Sequence, residues 1–220
     1  TDQRLRDEAM TLFLAGHDTT KSAIAWTLLL LAQHPHVLAP LQDELRGVLA
    51  GEPPTNEQMP RLVLLDRVVK ESLRLLPPAP FTARLTTRPV ELAGVELRAG
   101  TEVIVSPYCL HRDPDLYPDP QRFLPQRWEK LSPSPFEYAP FGAGPRMCIG
   151  AGFATLEAKT ALAILLQRFV FELAPDARID RRTTVVMSPR HGMPMILRPP
   201  GTRTTPSRVR GDIHEMVDLP

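Results

Sequence analysis

The sequence has little cysteine: Cys109 and Cys148 are the only two among 220 residues. Two cysteines exclude the disulfide framework that stabilises small secreted proteins, so we expect a reducing, cytoplasmic compartment. Cys148 has no second cysteine or histidine at the short spacing that zinc sites require, which argues against a zinc centre at this position.

Long apolar runs and an excess of one charge are also absent. The most apolar stretch, residues 23–32, is about half of the ~20 residues that a membrane-spanning helix needs. The formal net charge of +1 argues against a nucleic-acid partner. Residues 1–4 contain neither an initiator methionine nor an apolar leader, so we expect no secretory signal. We also expect that the N-terminal part of a longer protein, with any membrane anchor, is missing.

The sequence does contain a glycine-rich loop, residues 141–150, that delivers Cys148 to the start of a helix with apolar residues from Phe153 to Phe171. The positive end of that helix would stabilise a thiolate. A packed structural cysteine is the alternative, since free cysteine is commonly buried. The loop glycines favour a ligand, because they let the backbone approach a flat partner. One axial thiolate is enough to hold haem iron, and Arg146 suits a carboxylate.

The pattern Phe-x-x-Gly-x-Arg-x-Cys-x-Gly resembles the haem-ligand signature of the cytochrome P450 haem-thiolate monooxygenases. The resemblance implies that Cys148 is the proximal iron ligand of haem b (iron protoporphyrin IX). It further implies that Phe141 packs over the sulfur and that Arg146 holds a haem propionate. The cofactor-binding loop would include Gly142 and Gly150.

Residues 2–33 are predicted to form one long helix that ends before Pro35. In its middle, Ala15 and Gly16 either weaken the helix into a kink or leave room for a planar cofactor. The following Asp18 and Thr19 supply an acid and a hydroxyl that suit proton relay. This segment resembles the family's oxygen-activating motif, in which Thr19 would be the alcohol and Asp18 the acid.

A second family hallmark is Glu71-x-x-Arg74, followed by Leu76-Pro77-Pro78. Residues three apart on a helix lie on one face, so the pair could be an ordinary exposed ion pair. The family's usual third member is an arginine before the cysteine loop. Arg122 and Arg127 both qualify, and Arg127 fits the wider Phe-x-Pro-x-Arg-aromatic pattern better, although Gln126 replaces the usual glutamate. The triad would be structural.

Short strands are predicted after this helix, and the resemblance assigns Arg84 to the other propionate. Residues 181–197 are predicted to form a hairpin with its turn at His191-Gly192. Residues 111–114 are predicted to be a turn without chemistry, and Cys109 to be a packed residue. The substrate contacts that follow from the resemblance and from an apolar lining are Leu12, Phe81, Thr82 and Met193.

The predicted fold is mainly α with small β-sheets: residues 1–198 form the C-terminal, haem-binding part of a P450 domain, and residues 199–220 form a disordered tail. The resemblance implies a monomeric monooxygenase that inserts one atom of O2 into a small hydrophobic substrate. Its electrons would come from NAD(P)H through a ferredoxin or flavoprotein reductase. A peroxide-using enzyme on the same fold and a non-catalytic haem-binding module are the alternatives.

Overall fold

The computed structural model describes residues 1–220, and the predicted fold class, mainly α with small β-sheets, is confirmed. The helices are α1 Asp2–Gln33, α2 Pro35–Leu49, α3 Val63–Leu75, α4 Pro107–Leu110 and α5 Ala151–Arg168. The strands are β1 Thr82–Leu85, β2 Val90–Leu92, β3 Val95–Leu97, β4 Glu102–Val105, β5 Val170–Leu173, β6 Arg181–Thr183, β7 Met187–Pro189 and β8 Met195–Arg198.

Helix α1 runs without interruption through the segment around Gly16 and ends at Gln33, because Pro35 disfavours a helical conformation of His34. Its two halves differ in environment. The N-terminal half is exposed, whereas the C-terminal half is buried around Trp26, whose Nε1–H donates to the Met187 carbonyl oxygen at 3.1 Å. No single helix is long and apolar enough to cross a membrane; α1 and α2 reach that size only together, and they are bent by 112°.

The core lies where the C-terminal half of α1 meets α2, α3 and α5. Leucines dominate it, and each fully buried leucine contributes about 1.5–3 kcal/mol. The core leucines with no solvent exposure are Leu29, Leu30, Leu41, Leu45, Leu62, Leu65, Leu75 and Leu162. An ion pair between Lys159 on α5 and Asp66 on α3, 2.9 Å long, joins these helices at the edge of the core. The helix that follows the cysteine loop is therefore fixed to the helix that carries Glu71.

The strands form four antiparallel pairs, β1–β4, β2–β3, β5–β8 and β6–β7. The predicted hairpin over residues 181–197 is wrong. The turn near Gly192 carries the chain from one pair into another, because β8 pairs with β5, whose Val170 and Leu173 are buried. The helical spacing of apolar residues predicted that the last helix reaches Phe171, and this prediction is also wrong. Helix α5 ends at Arg168, and Phe171 lies in β5.

Residues 199–220 are not a disordered tail, and that expectation is corrected. The segment folds back on the core and buries Val209, Ile213, Met216 and Val217. The backbone of Arg210 brackets residues 177–179: its N–H donates to the Ala177 carbonyl, and its carbonyl accepts from Ile179 N–H. The expectation of disorder came from the composition of residues 199–208, whereas the apolar anchors lie after them, from Val209 to Val217.

Candidate functional site

The glycine-rich loop is closed on itself by its backbone. The N–H of Cys148 donates to the carbonyl oxygen of Phe141 at 2.9 Å, and the chain reverses between them. Gly142 has φ +73°, a left-handed conformation that side chains disfavour, so the reversal depends on this glycine. Gly150 stands at the N-cap of α5, where an added Cβ would lie 3.8 Å from the Cys148 sulfur. The loop thus holds a thiol next to a helix N-terminus.

The thiol of Cys148 is free and exposed, as is that of Cys109, which was predicted to be packed. Large apolar side chains beside Cys148 in the sequence are exposed too, including Ile149 at 97% and Phe153 at 73%. Apolar groups of this size are stabilised when a partner covers them. A surface that combines an accessible soft ligand with open apolar side chains fits a flat, largely apolar, iron-containing cofactor such as haem.

The two arginines predicted to hold propionates are both exposed, and neither forms an ion pair. Arg84 lies on β1, and its Nη1 donates to Thr82 Oγ1 at 2.9 Å and to the Ala83 carbonyl at 2.8 Å. Arg146 lies in the short helical turn just before Cys148. Both guanidinium groups keep N–H donors for an incoming carboxylate. No hydrogen bond joins either arginine to Cys148.

The structure brings Glu71, Arg74 and Arg127 together in a buried network. Arg74 Nε and Nη2 donate to the two carboxylate oxygens of Glu71 at 2.9 Å each, and Arg127 Nε donates to Oε1 at 2.9 Å. The remaining donors of Arg74 reach three backbone carbonyls, those of His111, Pro120 and Arg122. The Arg122 side chain is exposed and faces Asp119 at 3.7 Å, so Arg127 is the third member.

Sequence reasoning missed two further donors to this carboxylate, the Trp128 indole Nε1 at 2.9 Å and the Leu124 backbone N–H at 3.0 Å. The aromatic residue after Arg127 was the available signal, because the indole N–H of a partly buried tryptophan usually finds an acceptor. Five donors surround one carboxylate, which satisfies its lone pairs and keeps a buried charge compensated. The network fixes α3 to the segment that precedes the cysteine loop.

A buried histidine, to which the sequence assigned no chemistry, continues this network. His111 is fully buried, its Nδ1 lies 3.2 Å from the Arg74 carbonyl oxygen, and its Nε2 accepts from the Ala139 N–H at 3.0 Å. Burial, reinforced by the nearby charges of Arg74 and Arg112, lowers the pKa of His111 to about 4. The ring is therefore neutral at physiological pH.

The predicted relay residues lie on the exposed part of α1. Thr19 Oγ1 donates to the Ala15 carbonyl oxygen at 2.6 Å, so its proton is engaged while its oxygen can still accept. Asp18 contacts Lys21 Nζ at 2.6 Å and His17 Nδ1 at 3.3 Å. The hydrogen bond from Lys21 is the main cause that lowers the pKa of Asp18. Asp18 is thus an anion at neutral pH, able to accept and pass on a proton.

The predicted substrate contacts do not share one environment. Leu12 on α1 and Phe81 before β1 are exposed, at 65% and 46%. Thr82 is occupied by the hydrogen bond from Arg84, and Met193 is half-buried against the core. An open groove of about 420 Å³ beside α5 contains none of them; it is lined by Met59, Phe141, Ala151, Gly152, Thr155, Leu156 and Lys159. Cys148 does not line the groove, but Phe141 does, so the groove adjoins the cysteine loop.

Known proteins match this chain over most of its length. A family model described as Cytochrome P450 matches residues 1–195. Cytochrome P450 4V2 of Rattus norvegicus is 43% identical over 173 residues, which cover 76% of this chain and 33% of that relative. Cyclooctatin synthase of Streptomyces melanosporofaciens is 42% identical over 187 residues, 83% of this chain and 40% of that relative. The chain therefore spans well under half the length of these relatives.

Proposed function

The chain belongs to the cytochrome P450 family, and from this premise we propose that it forms the haem-binding part of a haem-thiolate monooxygenase. The complete enzyme inserts one oxygen atom from O2 into an organic substrate. The observation that carries the proposal is the free, exposed thiol of Cys148, held before α5 by a closed loop. Cys109 is exposed as well but has no such loop, so we assign the ligand role to Cys148.

Residues of the loop and of β1 would share the binding of the cofactor. Cys148 would hold the iron, Phe141 lies beside it through the backbone hydrogen bond, and Arg84 on β1 and Arg146 in the loop would bind the propionates. When haem is bound through a thiolate, it supplies oxygen activation, since thiolate electron density favours O–O cleavage. The buried network of Glu71 keeps the part of the fold that carries the cysteine loop rigid.

Proton delivery would depend on two residues of α1. The hydroxyl oxygen of Thr19 would accept a hydrogen bond from a proton-carrying water and hold it in place, because its own proton is directed to the Ala15 carbonyl. Asp18, half-exposed beside Lys21, would exchange protons with solvent. The two residues are adjacent on the helix and half-exposed, so water can resupply them.

The substrate is a small hydrophobic molecule, which the exposed Leu12 and Phe81 would contact once the surface is covered. Electrons come from NAD(P)H through a ferredoxin or a flavoprotein reductase. The haem is haem b. A monomeric state and a cytoplasmic location stay predictions.

The absorbance spectrum of the reduced, CO-bound protein tests the ligand assignment. We would compare Cys148→Ser with Cys109→Ser, a matched change at the other exposed thiol, in this chain and in any longer parent protein. The strongly red-shifted band of a thiolate ligand should be lost in the first variant and kept in the second. A band that survives Cys148→Ser would refute the proposal.

A further inference from the structure

We propose that His111 is a positioning residue that fixes the cysteine loop relative to α3 through its bond to Ala139. Any effect of His111 on haem binding rests on the proposed role of Cys148 as iron ligand. The hydrogen bonds of His111 do not depend on that role. His111 touches no cofactor or substrate residue; it acts through the backbone on both of its sides.

The two contacts of the ring determine its tautomer. A backbone N–H can only donate, so the 3.0 Å contact from Ala139 requires Nε2 to be unprotonated. A carbonyl oxygen can only accept, so the 3.2 Å contact with Arg74 requires a proton on Nδ1. The neutral Nδ1–H form is therefore the one that satisfies both neighbours. Protonation of Nε2 would break the bond to Ala139.

The bond to Ala139 begins a continuous path to the thiol. The Ala139 carbonyl accepts from Gly142 N–H at 3.0 Å, and Phe141, between them, accepts from Cys148 N–H at 2.9 Å. At the other end of the path, the Arg74 guanidinium donates to the His111 carbonyl at 2.8 Å. His111 thus holds α3 twice, by its carbonyl and by its ring, and holds the loop once.

Two tyrosines enclose this connection. Tyr117 OH donates to the Glu137 carbonyl at 2.9 Å and Tyr138 OH to the Lys70 carbonyl at 3.0 Å. The Tyr138 ring stacks on the imidazole with 5.3 Å between centroids, and Tyr117 meets its edge at 6.1 Å. Because the two rings cover the imidazole and His111 is fully buried, its bond to Ala139 is shielded from bulk water.

Two amide variants separate the two bonds of His111. A glutamine side chain places its oxygen near the position of Nε2, so His111→Gln keeps an acceptor for Ala139. An asparagine side chain places its amide near Nδ1, so His111→Asn keeps only the donor to Arg74. We would make both without haem. The readout is amide hydrogen exchange at Ala139, Gly142 and Cys148, whose backbone N–H groups donate the three bonds of this path.

We expect His111→Asn to accelerate exchange at these amides by about 10- to 100-fold, the effect of one lost buried hydrogen bond, and His111→Gln to change it by less than about threefold. Equal effects of the two variants would overturn the proposal. The ring nitrogens of the unmodified protein give a test that needs no folded variant: NMR should show Nδ1 protonated and Nε2 unprotonated. The opposite tautomer would also overturn it. Neither readout involves haem, so failure of the ligand assignment would appear separately, in the Cys148→Ser spectrum.

Discussion

Glu71 and Arg74 form a two-point ion pair in which both side chains have no solvent exposure, one turn apart on α3. All five N–H donors of Arg74 and both oxygens of Glu71 are used. Buried ion pairs of this kind add little stability relative to apolar residues, but each partner depends on the other. Loss of one leaves the second charge buried without compensation.

We therefore predict that Glu71→Ala lowers the free energy of unfolding by about 3–5 kcal/mol. Urea denaturation measures this directly. Asp43→Ala is the matched control, because Asp43 pairs with Arg46 at the same spacing on α2 but is 70% exposed. That change should cost less than about 1 kcal/mol. Similar losses of unfolding free energy in the two variants would show that removal of Glu71 does not leave Arg74 as an uncompensated buried charge.

The stability of the protein should depend on pH through His111. Its folded pKa of about 4 lies below the ordinary value of 6.5, so the unfolded chain binds more protons between these values. The stability that neutral His111 contributes to the folded protein is complete above about pH 6.5 and is lost as the pH falls towards 4. At about pH 5 the loss should be about 2 kcal/mol relative to neutral pH.

Urea unfolding at about pH 7.5 and about pH 5 checks this expectation. The difference between the two pH values should shrink in His111→Gln, which cannot titrate. Burial also lowers the pKa of His34, and that contribution remains in both proteins. An unchanged pH difference in the variant would assign the effect to His34 instead.

Local spacing was sufficient to predict much of the fold. Helix α1 ends at Gln33 as predicted, since proline restricts the preceding residue. Glu71 and Arg74 are three residues apart and had to share a face of α3. The preference for Arg127 over Arg122 rested on a wider pattern of neighbours, and the structure places the Arg127 side chain on Glu71.

Contacts between distant residues could not be predicted in this way. The ring of His111 contacts the backbone of residues 37 and 28 positions away, and nothing in its local sequence indicates a buried site. The tail was wrongly predicted to be disordered because residues 199–208 are rich in proline, arginine and threonine. Its anchors, Ile213 and Met216 among them, follow at helical spacing and were the overlooked signal.

The docking of the tail should depend on Gly211. Its φ is +109°, and an added Cβ would lie 2.3 Å from the Ile179 carbonyl oxygen. Gly211→Ala should therefore destabilise the protein by clearly more than the ~1 kcal/mol expected for strain at positive φ alone. Gly201→Ala is the matched control, since Gly201 has φ +79° with open space around it. Thermal unfolding compares the two. Equal losses would mean that the tail moves away without cost.

The hydroxyl of Thr19 should matter for proton delivery and not for cofactor binding. Thr19→Val in the complete enzyme keeps the shape of the side chain but removes the oxygen that accepts a proton-relay bond, so product formed per NAD(P)H should fall by about tenfold or more. The reduced CO spectrum should not change. Thr19→Ser should retain coupling, because serine can make the same bond to the Ala15 carbonyl.

Thr11→Val is the matched control, since Thr11 Oγ1 donates to the Asp7 carbonyl at 2.8 Å on the same exposed half of α1. Loss of coupling in Thr11→Val as well would attribute the effect to the helix, and full coupling in Thr19→Val would remove Thr19 from the relay.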